Sequence, residues 1–217
     1  MTTTTAFLDS NVIFGSRLSN VLLWVAHSDL YEPLWSERVL AAVVRDVPRR
    51  RRNVTPERIT KRVDQMRRAF PAAMIDGFEP LEPEMGNHPG DRHVLAAAVH
   101  GHADVLVTSN LKHFPKRVMD HHGIVAIHPD DFLLKLLEVH GPAMENAVAK
   151  AILSRGRPPE SFPGYLDRLA ADVPRFAAEM KPRLEVVDPS AGLRRAMGFG
   201  VTGEVSFGLI GESLKES

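Results

Sequence analysis

Apolar residues along this chain follow two rhythms, and their alternation organises the first two-thirds of it. Short continuous runs, Ala6-Phe7-Leu8, Val105-Leu106-Val107 and Ile124-Val125-Ala126-Ile127, are apolar on both faces. Strands read this way when helices cover both sides of a parallel sheet. Elsewhere apolar positions recur every three or four residues, the helical repeat. Residues 11 to 27 predict a helix with Leu18, Val21, Leu22 and Val25 on one stripe. A turn at Ser28-Asp29 leads to Leu34-Trp35-Ser36. Ser36 then caps a helix that buries Val39, Leu40, Val43, Val44 and Val47 and ends at Pro48. Thr55-Pro56-Glu57 opens another helix with a cap, a first-position proline and a first-turn acid. Its core stripe is Ile59, Val63, Met66 and Phe70, and Pro71 ends it. Residues 73 to 75 predict a short strand and residues 78 to 90 a loop. Asp91 opens a helix with Val94, Leu95 and Ala98 on one face, closed by Gly101. After Ile127, Asp130 is the expected cap of a helix carrying Phe132, Leu133, Leu136 and Leu137. The fold class that follows is α/β, a three-layer α/β/α sandwich around a mostly parallel sheet.

Beyond His140 the strands stop. Residues 142 to 154 predict a helix (Met144, Ala147, Val148, Ala151, Ile152), and residues 163 to 180 one or two more, interrupted at Pro174. Residues 182 to 217 are irregular, with a short apolar segment around Val205 to Ile210. The expected division is an α/β domain over 1–140, a C-terminal helical extension over 141–181 and an irregular tail over 182–217.

Composition narrows the chemistry. At 217 residues, 44% hydrophobic and 25% charged, the chain has the balance of a globular protein with a substantial core. It has no cysteine, which excludes disulfides and thiolate metal sites and fits a reducing, cytoplasmic setting. No apolar run is long enough to cross a membrane, and MTTTTAFLDS does not have the pattern of a secretory leader. Lys and Arg number 27 against 27 Asp and Glu. Nucleic-acid binding must therefore rest on a local patch. Arg49-Arg50-Arg51-Arg52, with Arg45 one turn earlier, is the candidate. Such a run is either a solvated charge tract or a row of forks matched to phosphate oxygens.

Chemistry in a parallel sheet collects outside the carboxyl ends of its strands. Asp9 follows the first strand directly, Asn110 follows the strand at 105–107, and Asp91 starts the helix between. Together they form an oxygen-rich cluster suited to Mg²⁺ or Mn²⁺. Each has a plainer alternative: Asp9 as a helix cap, Asp91 as an acid favoured by the helix dipole, Asn110 as a turn residue. Thr108 and Ser109 read as local backbone ties, and Ser10 and Asn11 as groups that position Asp9. The ten histidines suggest zinc, chiefly His121-His122 with His113 or His128, but adjacent histidines point different ways and no H-x-x-x-H with an acid partner occurs. Trp24 and Trp35 read as core.

LDSNVIF, DRHVLAAAVHGHADVLVTSNLKHFP and HPDDFLLKL, in this order and spacing, resemble a PIN domain, and more narrowly the VapC-like toxin branch. The resemblance spans residues 5 to 138 and more loosely reaches 181. It implies a metal-dependent RNA endonuclease of a type II toxin–antitoxin system. Asp9 and Asp91 would be the acidic ligands, Asn110 would lie beside them, and the products would be a 3′-hydroxyl and a 5′-phosphate. Implied partners are RNA (tRNA or another structured RNA), a cognate antitoxin and a second copy of the chain.

The chain departs from that pattern at one place. A glutamate is expected in the helix after Trp35-Ser36, and Ala42 stands there instead. Glu37 lies about 140° round the helix and roughly 7 to 8 Å along it, too far to substitute. His88 and Gly90 also occupy positions where relatives place acids. Natural loss and deliberate replacement both leave such a gap; a lone alanine in an otherwise matched frame favours the second. A non-cleaving PIN-type module that binds RNA or antitoxin is therefore the competing reading. A phosphatase with a nucleophilic aspartate after its first strand would need a second aspartate where Asn11 stands.

Overall fold

Five short strands form one sheet. β1 (Thr5–Leu8), β2 (Glu32–Ser36), β3 (Met74–Ile75), β4 (Val105–Val107) and β5 (Val125–Ile127) lie in the order β3-β2-β1-β4-β5, and every pairing is parallel. The structure is a computed structural model that describes residues 3–14, 16–51, 54–155 and 160–185. The helices are α1 (Ser10–Phe14), α2 (Ser16–His27), α3 (Glu37–Arg50), α4 (Pro56–Ala69), α5 (Arg92–His100), α6 (Lys116–His121), α7 (Pro129–Leu153), α8 (Phe162–Leu169) and α9 (Pro174–Glu185).

The strand order fixes where the layers fall. From β1 the chain steps outward to β2 and β3, then returns to the other side of β1 for β4 and β5. Right-handed crossovers therefore place α1 to α4 on one face and α5 and α6 on the other. After β5, α7 packs against α2. The reversal lies between β1 and β4, so the crevice beyond their carboxyl ends is the topological switch point. The α/β/α architecture expected from the apolar runs is the one observed.

Burial follows the predicted stripes. Phe7, Leu8, Val21, Leu22, Leu40, Val63, Leu95 and Val107 are buried, as is Trp35, edge-on to Phe70 at 5.8 Å. The Tyr31 hydroxyl donates to the Leu22 carbonyl at 3.0 Å, so this buried phenol is paired. Gly101 is small because of close approach. A Cβ there would lie 2.9 Å from Ile75 and 3.1 Å from Leu34, whereas its own φ is −79° and the left-handed residue is His102.

Several boundaries differ from the sequence reading, each for a local reason. The helix expected over 11–27 is two, α1 and α2. Pro48 does not end α3, which closes with the Arg51 N–H on the Val47 carbonyl at 2.9 Å. Only the final turn loses a bond at that proline, so the cost stays small. Pro174 does not interrupt a helix but begins α9, the position where proline lacks nothing a helix needs. The expected boundary at 140/141 falls within α7, at a kink where His140 has φ −121°. α9 continues to Glu185, and the short apolar segment expected at 205–210 lies outside the described residues.

The cap of α7 is His128, whose Nδ1 accepts the Asp130 N–H at 3.2 Å, and not Asp130. Asp130 is buried and turned the other way. Its Oδ1 accepts the Phe176 N–H at 2.8 Å, and its Oδ2 accepts the Arg175 N–H at 3.3 Å and Nε–H at 2.9 Å. A carboxylate from α7 thus caps the first turn of α9 and neutralises Arg175. Asn20 donates to the Ala151 carbonyl at 2.7 Å, and the Tyr165 hydroxyl to the Arg17 carbonyl at 3.1 Å, tying α2 to α7 and α8. Among the described residues no helix is long and apolar enough to cross a membrane.

Candidate active site

Asp9 extends β1 by one residue, its N–H donating to the Val107 carbonyl at 3.1 Å. Register then sets Asp9 beside Thr108, because Leu8 pairs with Val107. Both side chains are buried. Thr108 Oγ1 donates to Asp9 Oδ2 at 2.8 Å, Asn11 Nδ2 donates to the same oxygen at 2.5 Å, and Ser10 Oγ donates to Oδ1 at 3.2 Å. Asn11 Oδ1 accepts the Ser109 N–H at 3.0 Å, and Thr108 Oγ1 accepts the Asn110 N–H at 3.1 Å. The two strand-end loops are stitched together around one carboxylate. Thr108 is therefore more than the local tie that the sequence suggested, since its hydroxyl crosses between strands to Asp9.

Burial pushes the Asp9 carboxyl above the usual carboxylate range; the Thr108 hydrogen bond opposes that rise, and the nearby Asp91 charge adds to it. None of its three hydrogen-bond partners is cationic.

Asp91 occupies the N-cap position of α5, yet its side chain makes no capping bond. Its Oδ2 lies 2.5 Å from His113 Nδ1, which is in turn 2.6 Å from Asn110 Nδ2. His113 ends a 3-10 turn over Leu111–His113, where residues three apart share a face, so Asn110 and His113 align. His88 stacks on His113 with centroids 4.0 Å apart and planes 11° apart, and its N–H donates to the His113 carbonyl at 3.2 Å. Asp9, Asp91 and Asn110 thus gather at one mouth, with His113 joining the last two. The i, i+3 spacing of Asn110 and His113 was visible in NLKHFP, but the histidine pointed only toward a zinc pairing. The rings of His121 and His122 meet at a steep 79° with centroids 5.1 Å apart, and neither belongs to the group of histidines that gathers with an acid among the described residues.

Ala42 is half-buried on α3, outside the apolar stripe of Val39, Leu40, Val43 and Val47. One turn earlier on the same face, Arg38 pairs with Glu82 at 2.8 Å. His93 is held below the usual histidine range by burial and then by Arg38, with Glu82 and Asp91 opposing. This face of α3 therefore looks toward the segment that delivers Asp91. Glu37 is engaged elsewhere, with Arg67 of α4 at 2.6 Å.

The guanidinium groups of Arg50 and Arg51 lie 5.3 and 5.7 Å from the ring of Phe14, at the far end of α1. That five-residue helix starts directly after Asp9 and is roughly 7.5 Å long. Arg49 is exposed, 3.8 Å from Asp46. Arg52 lies outside the described residues.

The donor set fits a hard divalent ion. A buried carboxylate that has no cationic hydrogen-bond partner and feels the charge of Asp91 forms a site that positive charge would relieve.

Comparison with known proteins adds a resemblance in sequence. A family model described as the VapC50 C-terminal domain matches residues 129–182, from the first residue of α7 into α9. Over 109 residues the chain is 43% identical to a Mycobacterium tuberculosis protein named "Putative ribonuclease VapC50". The chain is thus similar in sequence to that relative and, over its C-terminal helices, to that family model. The aligned stretch is 50% of this chain and 64% of that relative, so the two are matched over part of their lengths. No solved structure matches the chain. The family-model match covers α7, α8 and most of α9.

Proposed function

We propose that this VapC-like chain is a metal-dependent RNA endonuclease, the toxin of a VapBC-type toxin–antitoxin system, with one acid missing at Ala42. The observation that carries this is the convergence of Asp9 and Asp91 at the switch point of a parallel sheet. Asp9 and Asp91 would hold Mg²⁺ or Mn²⁺, with the Asn110 carbonyl oxygen beside them. The ion would supply the positive charge that lets water lose a proton near neutral pH and that offsets charge on the phosphate. Thr108, Ser10 and Asn11 keep the Asp9 carboxylate in one orientation, which a two-point ligand set requires. Arg49 to Arg52 would track RNA phosphates leading to the mouth, ending in a 3′-hydroxyl and a 5′-phosphate. The name of the M. tuberculosis relative supports ribonuclease activity. RNA, tRNA or another structured species, is the proposed substrate; an antitoxin and a second copy of the chain are the proposed partners, in the cytoplasm.

A second reading, a non-cleaving module that binds RNA or antitoxin, is favoured by Ala42 itself. The two are separated by Ala42→Glu. Both proteins would be purified, given Mg²⁺ or Mn²⁺, and followed on total tRNA. The expected result is a near-inert parent and a variant faster by orders of magnitude, as metal activation of water allows. Equal cleavage by both would refute the missing-ligand account. Binding without cleavage by both would establish the module.

A further inference from the structure

Beside the two carboxylates lies a group of different chemistry. One donor atom from each of His88, Asp91 and His113 lies within 4.8 Å of the others. We infer that these three residues form a nitrogen-rich binding position for a borderline divalent ion of the Zn²⁺ or Co²⁺ class. It adjoins the acidic site, shares Asp91 with it as a ligand and has Asn110 at its edge.

The contacts around His113 point to an ion. Its Nδ1 lies 2.5 Å from a carboxylate oxygen and 2.6 Å from the Asn110 amide nitrogen. One ring nitrogen cannot donate to the first and accept from the second. A half-turn of the amide presents its oxygen instead. Three lone-pair atoms, Asp91 Oδ2, His113 Nδ1 and Asn110 Oδ1, then converge on one place, an arrangement that suits a shared cation better than a shared proton. His88 adds a fourth, its Nδ1 being 3.9 Å from Asp91 Oδ2.

Distances allow it. Zinc–nitrogen and zinc–oxygen bonds of about 2.0 to 2.2 Å place tetrahedral donors roughly 3.4 Å apart. The His113–Asp91 contact must open, and the His88–Asp91 contact close, each by less than about 1 Å. Both rings have room, with 26% and 52% of their side chains exposed. The backbone holds them in place. His88 N–H bonds to the His113 carbonyl at 3.2 Å, Asn87 Nδ2 donates to the Asp91 carbonyl at 3.0 Å, and the two rings stack face to face. His88 Nδ1 also accepts the Gly90 N–H at 3.2 Å, but either imidazole nitrogen serves as a metal ligand.

Ligand type sets the preference. Imidazole suits later first-row ions, whereas Mg²⁺ takes oxygen and gives up water reluctantly. With His88, Asp91 and His113 as ligands, the fourth position of a tetrahedral ion falls to the Asn110 oxygen or to water.

Co²⁺ titrated into the full chain reports this directly, because its visible absorption responds to nitrogen ligation and geometry. Expected is one bound Co²⁺ with a nitrogen-bearing spectrum, displaced by equimolar Zn²⁺ but not by a roughly hundredfold excess of Mg²⁺. His113→Ala and His88→Ala should each weaken that binding by about tenfold or more. Asp9→Asn should leave the spectrum intact while removing the weaker, Mg²⁺-displaceable binding. Thermal unfolding without metal confirms that each variant folds; one that does not is replaced by His113→Gln or His88→Gln. A spectrum unchanged by both histidine variants overturns the assignment, as does equal displacement by Mg²⁺. Loss of the spectrum in Asp9→Asn would also overturn it, placing the ion between the carboxylates. None of these outcomes depends on whether RNA is cleaved, so the inference and the ribonuclease reading fail separately.

Discussion

Two aspartates of this protein are almost equally buried, Asp9 at 4% exposure and Asp130 at 3%, and their surroundings are opposites. Asp130 is met by the first-turn N–H groups of α9 and by Arg175, so its negative charge is offset from the side it faces. Asp9 is met by two hydroxyls and an amide, with a second carboxylate close enough to push its proton affinity up. Burial of charge costs several kcal/mol unless something compensates it. For Asp130 the fold compensates, and the residue holds the start of α9 onto the start of α7. For Asp9 the fold orients the carboxylate and brings no cation among its hydrogen-bond partners. A buried acid with complete partners is architecture, and one whose neighbour is another acid is a candidate site.

That contrast can be broken in order of effect. Asp130→Ala removes the α9 cap and a charge-assisted bond. It should cost about 2 to 3 kcal/mol and lower Tm by roughly 4 to 10 °C, read by calorimetry, with divalent-ion affinity unchanged. A Tm within a degree of the parent would reduce Asp130 to a surface ion pair. Asp9→Asn should do the reverse, weakening Mn²⁺ binding by roughly tenfold or more in a titration. Equal binding by both proteins would move the ion elsewhere. In metal-free buffer the same Asp9→Asn change should raise Tm slightly, since it removes a buried charge that repels Asp91; a fall would mean that Asp9 stabilises the fold as Asp130 does. The smallest effect belongs to the arginines. Replacing Arg49 to Arg52 with Gln should flatten the salt dependence of RNA binding by roughly 0.7 log unit for each phosphate that an arginine no longer neutralises. An unchanged slope returns the run to a solvated tract.

Much of the site was readable from residue order. Asp9, Asp91 and Asn110 stand at strand ends and a helix start that the apolar runs mark out, and the structure brings them together. Thr108 was read only in part: its hydroxyl does tie the Asn110 N–H locally, but only parallel pairing sets the same hydroxyl beside Asp9. His113 and His88 are 25 positions apart, and only the docking of two loops stacks their rings. Ala42 was legible as an absence, and the Arg38–Glu82–His93 neighbourhood now says which way its face looks.

The sequence alone determined the layers. Runs apolar on both faces make buried parallel strands, stripes at helical spacing make the covering helices, and short-range capping rules mark where α3 and α4 start. These are local properties, decided within a few residues. What only the tertiary structure decided is which polar groups meet across the sheet: Thr108 with Asp9, His113 with Asp91, and Asp130 with the start of α9 rather than its own helix. An aspartate at a helix start carries the same local signal whether it caps that helix, caps another or waits for a cation. The difference lies in the charges that the rest of the chain brings within a few ångströms of it.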